Sequence, residues 1–106
     1  MIGYLVDPSS KTITEVEHKG KYKDIYTYIK GSCFDCAYFN KHNDVIFVEN
    51  EGSSQLEQSF FSIPGYDSPL AGKGLILGCD NIGQTRSPIV TMEWLKQSVK
   101  FLSPEG

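Results

Sequence analysis

The chain has 106 residues, of which 40% are hydrophobic and 22% are charged, and its formal net charge at pH 7 is −3. This length and composition are typical of one folded domain with a single core, and they exclude an intrinsically disordered chain. The negative charge argues against a duplex-DNA binder, because such proteins need a basic surface that displaces counterions from the phosphates. We therefore expect one domain over residues 1–106.

The sequence lacks the features of exported and membrane proteins. The apolar run at residues 2–6 meets Asp7 and Pro8 at once, without a basic start or a long apolar stretch, and so is not a signal peptide. No apolar run approaches the roughly 18 residues of a membrane span. Three cysteines cannot all pair, which is typical of a reducing compartment. We expect a cytoplasmic protein with no membrane partner.

Charge is distributed unevenly along the chain. Residues 11–30 contain five lysines and three acidic residues, a net +2, whereas residues 31–82 contain two lysines and seven acidic residues, a net −5. A basic stretch of this kind can attract a small anion, although such a run is more often a solvated face.

The first part of the chain predicts a β-hairpin. The apolar run at 2–6 ends at the turn sequence Asp-Pro-Ser-Ser, and residues 12–17 alternate with period two and are rich in β-branched residues. Ile13 and Val16 do not share a face under strict alternation, so we expect an irregularity near Glu15. The hairpin loop should have about five residues.

Residues 23–30 predict a short helix. Ile25, Tyr28 and Ile29 recur at i, i+3 and i+4, the spacing of one helical face, and Gly31 follows as a C-cap. A helix of about two turns is not stable alone in water, so this one should pack on a sheet.

The middle of the chain predicts further strands. Residues 34–39 and 45–49 are aromatic or β-branched and flank the turn sequence Asn-Lys-His-Asn-Asp, which indicates a second hairpin. Residues 50–59 are polar and predict a loop. Residues 60–63 and 74–77 predict two more strands.

The chain ends in a predicted helix over residues 92–102. Thr91 is a good N-cap, and Glu93 suits the first turn. The apolar stripe at helical spacing consists of Met92, Leu95, Val99 and Leu102. Short strands and two helices that do not alternate regularly indicate an α+β fold. We expect a mainly antiparallel sheet of about five strands, one short helix and a C-terminal helix.

Cys33 and Cys36 form a C-x-x-C motif, but the context does not favour a redox or zinc site. A redox pair sits at the start of a helix after a strand, whereas here the predicted helix precedes the motif. A zinc site needs two more ligands, and Cys79, His18 and His42 do not form a second pair at the expected spacing. We interpret the motif as structural, with at least one cysteine buried.

The stretch from Phe60 to Asp80 is the most informative segment, because its prolines stiffen a loop that its glycines open, and loops on a rigid scaffold carry function. Gly72, Lys73 and Gly74 resemble a phosphate loop, but the Ser or Thr and the helix that must follow are absent. A looser contact of Lys73 and loop amides with an anion stays open beside a purely structural turn.

No catalytic motif is recognisable. There is no G-x-S-x-G, no paired carboxylate stands out, and both histidines fall in polar loops. We therefore expect a non-enzymatic protein without a cofactor.

Aromatic residues are the remaining candidates for a binding surface. Those expected in the core are Phe34, Phe60, Trp94 and Phe101. Those expected to stack on a base or a partner are Tyr22, Tyr26, Phe61 and Tyr66. Arg86, the only arginine, is a candidate contact for phosphate or carboxylate, with a surface ion pair as the alternative.

Several segments together resemble an uncharacterised family of short phage and plasmid proteins. They are IGYLVDP at 2–8, ITEV at 13–16, DIY at 24–26, PLAGKGLILG at 69–78, TMEWLK at 91–96 and VKFL at 99–102. The likeness covers nearly the whole chain. It implies a mobile-element origin in a bacterial host cell and brings no catalytic residues with it.

Two functions compete for such a protein. In the first, it sequesters a nucleotide signal of host immunity, with aromatic rings and lysines around residues 60–80 holding base and phosphate across a homo-oligomer interface. In the second, it inhibits or adapts a host defence or replication protein through an acidic surface. Lys73, Arg86 and the glycine-rich loop favour the first, and the −5 segment favours the second.

Overall fold

A computed structural model describes residues 1–19, 22–29, 34–49, 59–66, 69–80, 82 and 84–102. These residues form an α+β fold of mainly antiparallel strands with two short helices, which confirms the predicted fold class. Neither described helix is long and apolar enough to cross a membrane.

The elements form two sheets and two helices. In chain order they are β1 (Ile2–Asp7), β2 (Thr12–Glu17), α1 (Tyr22–Ile29), β3 (Phe34–Tyr38), β4 (Asp44–Glu49), β5 (Phe60–Ser62), β6 (Leu70–Ala71), β7 (Gly74–Cys79), β8 (Thr85–Arg86), α2 (Met92–Ser98) and β9 (Lys100–Leu102). The larger sheet has the order β2-β1-β7-β4-β3, with β8 paired to β7, and the smaller has the order β6-β5-β9. The pairs between described strands are antiparallel.

Both faces of the larger sheet are covered. Val6 and Ile76 lie on one face and pack in a core with side chains of the smaller sheet and α2. Leu75 lies on the other face and packs against Ile25 and Ile29 of α1. Because side chains alternate along a strand, neighbours such as Leu75 and Ile76 enter different cores.

This two-sided burial corrects the expected irregularity near Glu15. The register between β1 and β2 is continuous over the whole length of both strands, and residues 8–11 form the loop. Ile13 packs in the core beneath α2, and Val16 packs in the core beneath α1. The two residues need opposite faces, and strict alternation provides them.

The second hairpin and the first helix match their predictions. Tyr38 of β3 lies opposite Val45 of β4 in an antiparallel pair. Ile25 and Ile29 are buried, as their spacing predicts. The predicted C-cap at Gly31 and all but the last residue of the predicted loop at 50–59 lie outside the described residues.

Helix α2 is shorter than predicted. Thr91 is its N-cap, and the Thr91 hydroxyl accepts a hydrogen bond from the Trp94 amide at 3.1 Å. The helix ends at Ser98, Val99 has an extended backbone, and β9 follows. The prediction of a helix to residue 102 was wrong because the buried Val99 and the half-buried Phe101 also fit the period of a strand, and pairing with β5 selects the strand.

Candidate ligand-binding cleft

The stretch at residues 60–80, here called the glycine-rich bend, does not present Phe61 to a ligand. Phe61 is 0% exposed, which corrects the expectation that its ring stacks at the surface. It lies on β5, the central strand of the smaller sheet, and its ring packs on Gly74 of β7. A Cβ at Gly74 would lie 2.7 Å from the ring, so this glycine makes room for an aromatic side chain of the core.

Gly72 and Lys73 form the turn before β7. Gly72 has a positive φ of 75°, which favours glycine, and its amide donates to the Ser59 carbonyl at 3.1 Å. That amide is therefore not free for an anion. The Lys73 ammonium lies 4.0 Å from Asp7 Oδ2, and its side chain is 30% exposed. This is a loose ion pair near the surface, and an anion contact by Lys73 stays a prediction.

The predicted tyrosines lie apart from the turn at Lys73. Tyr66 is 36% exposed on a turn that packs against the backbone of Phe39, where a Cβ at Gly65 would overlap the Phe39 carbonyl. Tyr26 belongs to α1, which packs on the opposite face of the larger sheet from Phe61. The side chains of Tyr22 and Tyr26 lie outside the described part of the chain.

Arg86 binds a carboxylate, but this carboxylate belongs to its own chain. Arg86 Nη1 donates to Asp44 Oδ1 at 3.2 Å and to the Ser87 carbonyl at 2.7 Å, and Nη2 donates to the His42 carbonyl at 2.5 Å. Asp44 is 0% exposed. The predicted ligand contact of Arg86 is thus replaced by an internal ion pair that joins β8 to the turn between β3 and β4.

A cleft of about 410 Å³ lies beside this ion pair. One wall is the β3–β4 turn, the other is the segment that leads into α2, and Trp94 of α2 completes it. The lining residues are Asn40, Lys41, His42, Ile89, Val90, Thr91 and Trp94.

The buried carboxylate of Asp44 connects the two walls. It accepts hydrogen bonds from the Ile89 amide at 2.9 Å, the Val90 amide at 2.9 Å and Asn40 Nδ2 at 3.1 Å. Asn40 Oδ1 in turn accepts from the amides of His42 and Asp44. A buried carboxylate is stable when it is paired and hydrogen-bonded, and here the same bonds fix the shape of the cleft.

The missing side chain at Gly78 leaves room for the ion pair between Arg86 and Asp44. It lies opposite Asp44 on one side and Arg86 on the other. A Cβ at Gly78 would overlap the Arg86 guanidinium and lie 2.7 Å from the Ser87 carbonyl. The guanidinium therefore reaches Asp44 across the space of a missing side chain.

The cleft combines an apolar wall with positive charge. Ile89 is 55% exposed, Trp94 is half-buried, and Lys41 and His42 are exposed at the opposite wall. Among the described residues no carboxylate lines the cleft, and the carboxylate of Asp44 is buried behind it and paired with Arg86. Such a site suits a small planar molecule that carries negative charge.

The described cysteines and histidines do not gather into a metal site. Cys36 is exposed on β3, Cys79 is half-buried at the end of β7, and Cys33 lies outside the described residues. Among described residues, no group of three or more His, Cys, Asp or Glu side chains could hold a metal ion. His18 is buried, whereas His42 is exposed. Burial lowers the pKa of His18, and a hydrogen bond with the Ile2 carbonyl opposes this shift.

Sequence reasoning missed most of the cleft. The sequence Asn-Lys-His-Asn-Asp was interpreted only as a turn, and Trp94 only as a core residue. A local signal did exist, since two apolar residues precede the N-cap Thr91 where the chain has no regular structure. No protein-family model, no curated protein and no solved structure is significantly similar to this chain.

Proposed function

We propose that this protein binds and sequesters a small nucleotide in the cleft around Trp94 and leaves it chemically unchanged. The observation that carries the proposal is the pairing of an indole and two aliphatic side chains with Lys41 and His42 across one preformed cleft. The homologous-sequence and fold comparisons supply no competing assignment, so the proposal depends on the chemistry of these side chains.

A nucleotide matches both walls. Stacking of a base on an aromatic ring contributes about 1–3 kcal/mol, and Trp94 and the aliphatic side chains of Ile89 and Val90 provide such a surface. The ammonium of Lys41 and the ring of His42 are available to a phosphate at the other wall. The volume of about 410 Å³ is near the lower end for small-molecule sites and favours a mononucleotide over a nucleic-acid strand.

Binding fits the cleft better than catalysis. A general base needs a group that orients it toward its substrate, and hydrolytic sites usually add a carboxylate or a metal. In the part of the chain that the structure describes, no carboxylate lines the cleft, and no residue holds the His42 ring by a hydrogen bond. The protein therefore acts by holding its ligand in a one-to-one complex.

The resemblance to phage and plasmid proteins suggests the biological setting. When a mobile element makes this protein in excess of a nucleotide, binding lowers the free concentration of that nucleotide by mass action. The nucleotide in this proposal is a signal of host immunity. The cleft is formed by one chain, so sequestration does not require a homo-oligomer. Binding of a host protein through an acidic surface stays a prediction. Asp44, one of the seven acidic residues at 31–82 on which that alternative is based, is fully buried.

A thermal-shift panel with a matched pair of lysine variants tests the proposal. The ligands are AMP, GMP, cyclic AMP, cyclic di-GMP and, as a control, inorganic phosphate. A ligand that binds only the folded protein stabilises it by about 2.7 kcal/mol at a hundred times its Kd. Lys41→Glu should abolish the shift, and Lys73→Glu, at the turn before β7, should retain it.

Three results would contradict the proposal. The first is an unchanged melting temperature with every nucleotide. The second is loss of the shift in Lys73→Glu with retention in Lys41→Glu, which would return the site to the glycine-rich bend. The third is conversion of the bound nucleotide, detected by chromatography after prolonged incubation, which would make the protein an enzyme.

A further inference from the structure

A second groove, also of about 410 Å³, lies along β2 at the opposite side of α2 from the cleft. Its lining residues are Lys11, Thr12, Ile13, Thr14, Lys96 and Phe101. Trp94 and Lys96 are two positions apart on α2, a rotation of about 200°, so they face opposite sides of the helix. The groove is therefore separate from the proposed nucleotide site.

The groove follows the edge of the larger sheet. Among the described strands β2 pairs with β1 alone, so its other side carries backbone donors and acceptors without a strand partner there. Residues 11–14 are consecutive and all line the groove, although alternate side chains of a strand point to opposite faces. Residues from both faces of β2 thus line the groove, as expected of a groove along the side of the strand where an added strand would pair.

The floor of the groove is apolar. Ile13 and Phe101 are half-buried and pack against the core that contains Leu95 and Val99. In an extended peptide every second side chain would point toward this floor. Apolar or β-branched residues at those positions of the peptide would gain from burial there.

The charges give the groove a direction. Lys11 lies at the hairpin end, and Lys96 flanks the groove from α2. Lys11 has a positive φ of 56°, a conformation that is uncommon outside glycine and that the hairpin imposes. Glu15 and Glu17 follow further along β2, beyond the groove. Acidic residues of a partner are thus attracted at the Lys11 end of the groove and repelled at the end of β2 that carries Glu17.

We propose that this groove docks an extended acidic segment of a partner protein, which adds as a strand to the free edge of β2. The acidic side chains of the segment lie beside Lys11 and Lys96, and its alternate apolar side chains contact Ile13 and Phe101. This docking site is independent of the nucleotide cleft and does not rest on it.

The experiment selects the ligand from a display library of random peptides of about twelve residues and measures the selected peptides by fluorescence anisotropy. The protein is the full chain, and the charge-reversal variant is Lys11→Glu/Lys96→Glu. We expect the selected peptides to be acidic with alternating apolar residues. The double variant should bind them at least tenfold more weakly, whereas Lys41→Glu should bind them as the wild type does.

Amide hydrogen exchange distinguishes strand addition from simple attraction between charges. A bound peptide should slow the exchange of outward-facing amides of β2, and a peptide N-methylated at alternate residues should bind poorly.

Five outcomes would overturn the proposal. The first four are a selection without enrichment, selected peptides that are basic, protection confined to strands other than β2, and equal displacement of the peptide by inorganic pyrophosphate, which would make the groove a simple anion site. A peptide whose binding is lost in Lys41→Glu rather than in the double variant would equally contradict it.

Discussion

The glycine-rich bend at residues 60–80 and the cleft around Trp94 each bring lysine and aromatic residues together, but they differ in where the aromatic ring lies. In the bend, Phe61 is fully buried against Gly74. In the cleft, the indole of Trp94 is half-buried and lines open space opposite Lys41. Glycines beside a lysine can thus serve close packing, and the proposed binding surface lies where an aromatic side chain and a cation both remain accessible.

The ion pair at the bend and the ion pair beside the cleft also differ in their burial. Lys73 and Asp7 are 4.0 Å apart with both side chains partly exposed, whereas Arg86 and Asp44 are 3.2 Å apart with Asp44 fully buried. Exposed pairs contribute about 0–1 kcal/mol, while removing one partner of a buried pair costs about 3–5 kcal/mol. Removing one partner of the ion pair at the cleft should therefore destabilise the protein far more than removing one partner of the pair at the bend.

Asp44→Ala is one of the two variants with the largest expected effect. This variant leaves the Arg86 guanidinium and the amides of Ile89 and Val90 without their acceptor, so we expect a loss of about 3–5 kcal/mol in the free energy of unfolding. Lys73→Ala is the matched control, because it removes the exposed ion pair with Asp7, and it should lose less than about 1 kcal/mol. Urea denaturation measures both. Equal losses in the two variants would remove the contrast between the ion pairs.

The aromatic residues of the bend provide the next test. Phe61→Ala empties a fully buried position and should destabilise the fold by about 3–5 kcal/mol. Tyr66→Ala, at a partly exposed ring, should change stability far less. Thermal unfolding gives both values. A stable Phe61→Ala protein with impaired nucleotide binding would show that Phe61 is a ligand contact after all.

Substitution of Gly78 should have an intermediate effect that reaches the cleft. Gly78→Ala places a methyl group against the Arg86 guanidinium and the Ser87 carbonyl, and overpacking of this kind costs about 1–3 kcal/mol. Because Arg86 and Asp44 shape the cleft, the variant should also bind nucleotide more weakly, which calorimetry can measure. A destabilised variant with unchanged affinity would separate the ion pair from the cleft.

The smallest expected effect concerns pH and involves neither region. Burial lowers the pKa of His18 below the 6.5 of an unperturbed histidine, so the unfolded state takes up a proton more readily than the folded state. Stability from this residue is present above about pH 6.5 and is lost as the pH falls toward the folded-state pKa. Urea midpoints between about pH 7.5 and pH 5.5 should fall less in His18→Gln than in wild type.

The exposed histidine of the cleft is the control for this prediction. His42→Gln removes the other histidine of the chain, whose ring lies at the surface. A pH dependence that disappears in His42→Gln and persists in His18→Gln would refute the assignment.

The fold was largely predictable, because its elements depend on local periodicity. Turn sequences located both hairpins, with a period-two run at residues 12–17 and aromatic or β-branched residues around the second turn, and the spacing of Ile25 and Ile29 located α1. The end of α2 was not predictable, since residues 99–102 fit either period and a distant strand decides between them. The sheet order likewise depends on pairs far apart in the chain.

The cleft was not predictable for the same physical reason. Its walls meet because the carboxylate of Asp44 binds the amide of Ile89, 45 positions later in the chain. No local pattern encodes a bond over that separation. Arg86 was recognised as an isolated arginine, but its partner could be identified only once β8 was placed beside β7.

The most direct test of the central claim uses Trp94, the only tryptophan in the chain, as an intrinsic probe. If a nucleotide stacks in the cleft, titration should quench or shift the Trp94 fluorescence with the same Kd that calorimetry reports, and Lys41→Glu should weaken both signals in parallel. A nucleotide that binds by calorimetry while the Trp94 emission stays unchanged would contradict the cleft as its site.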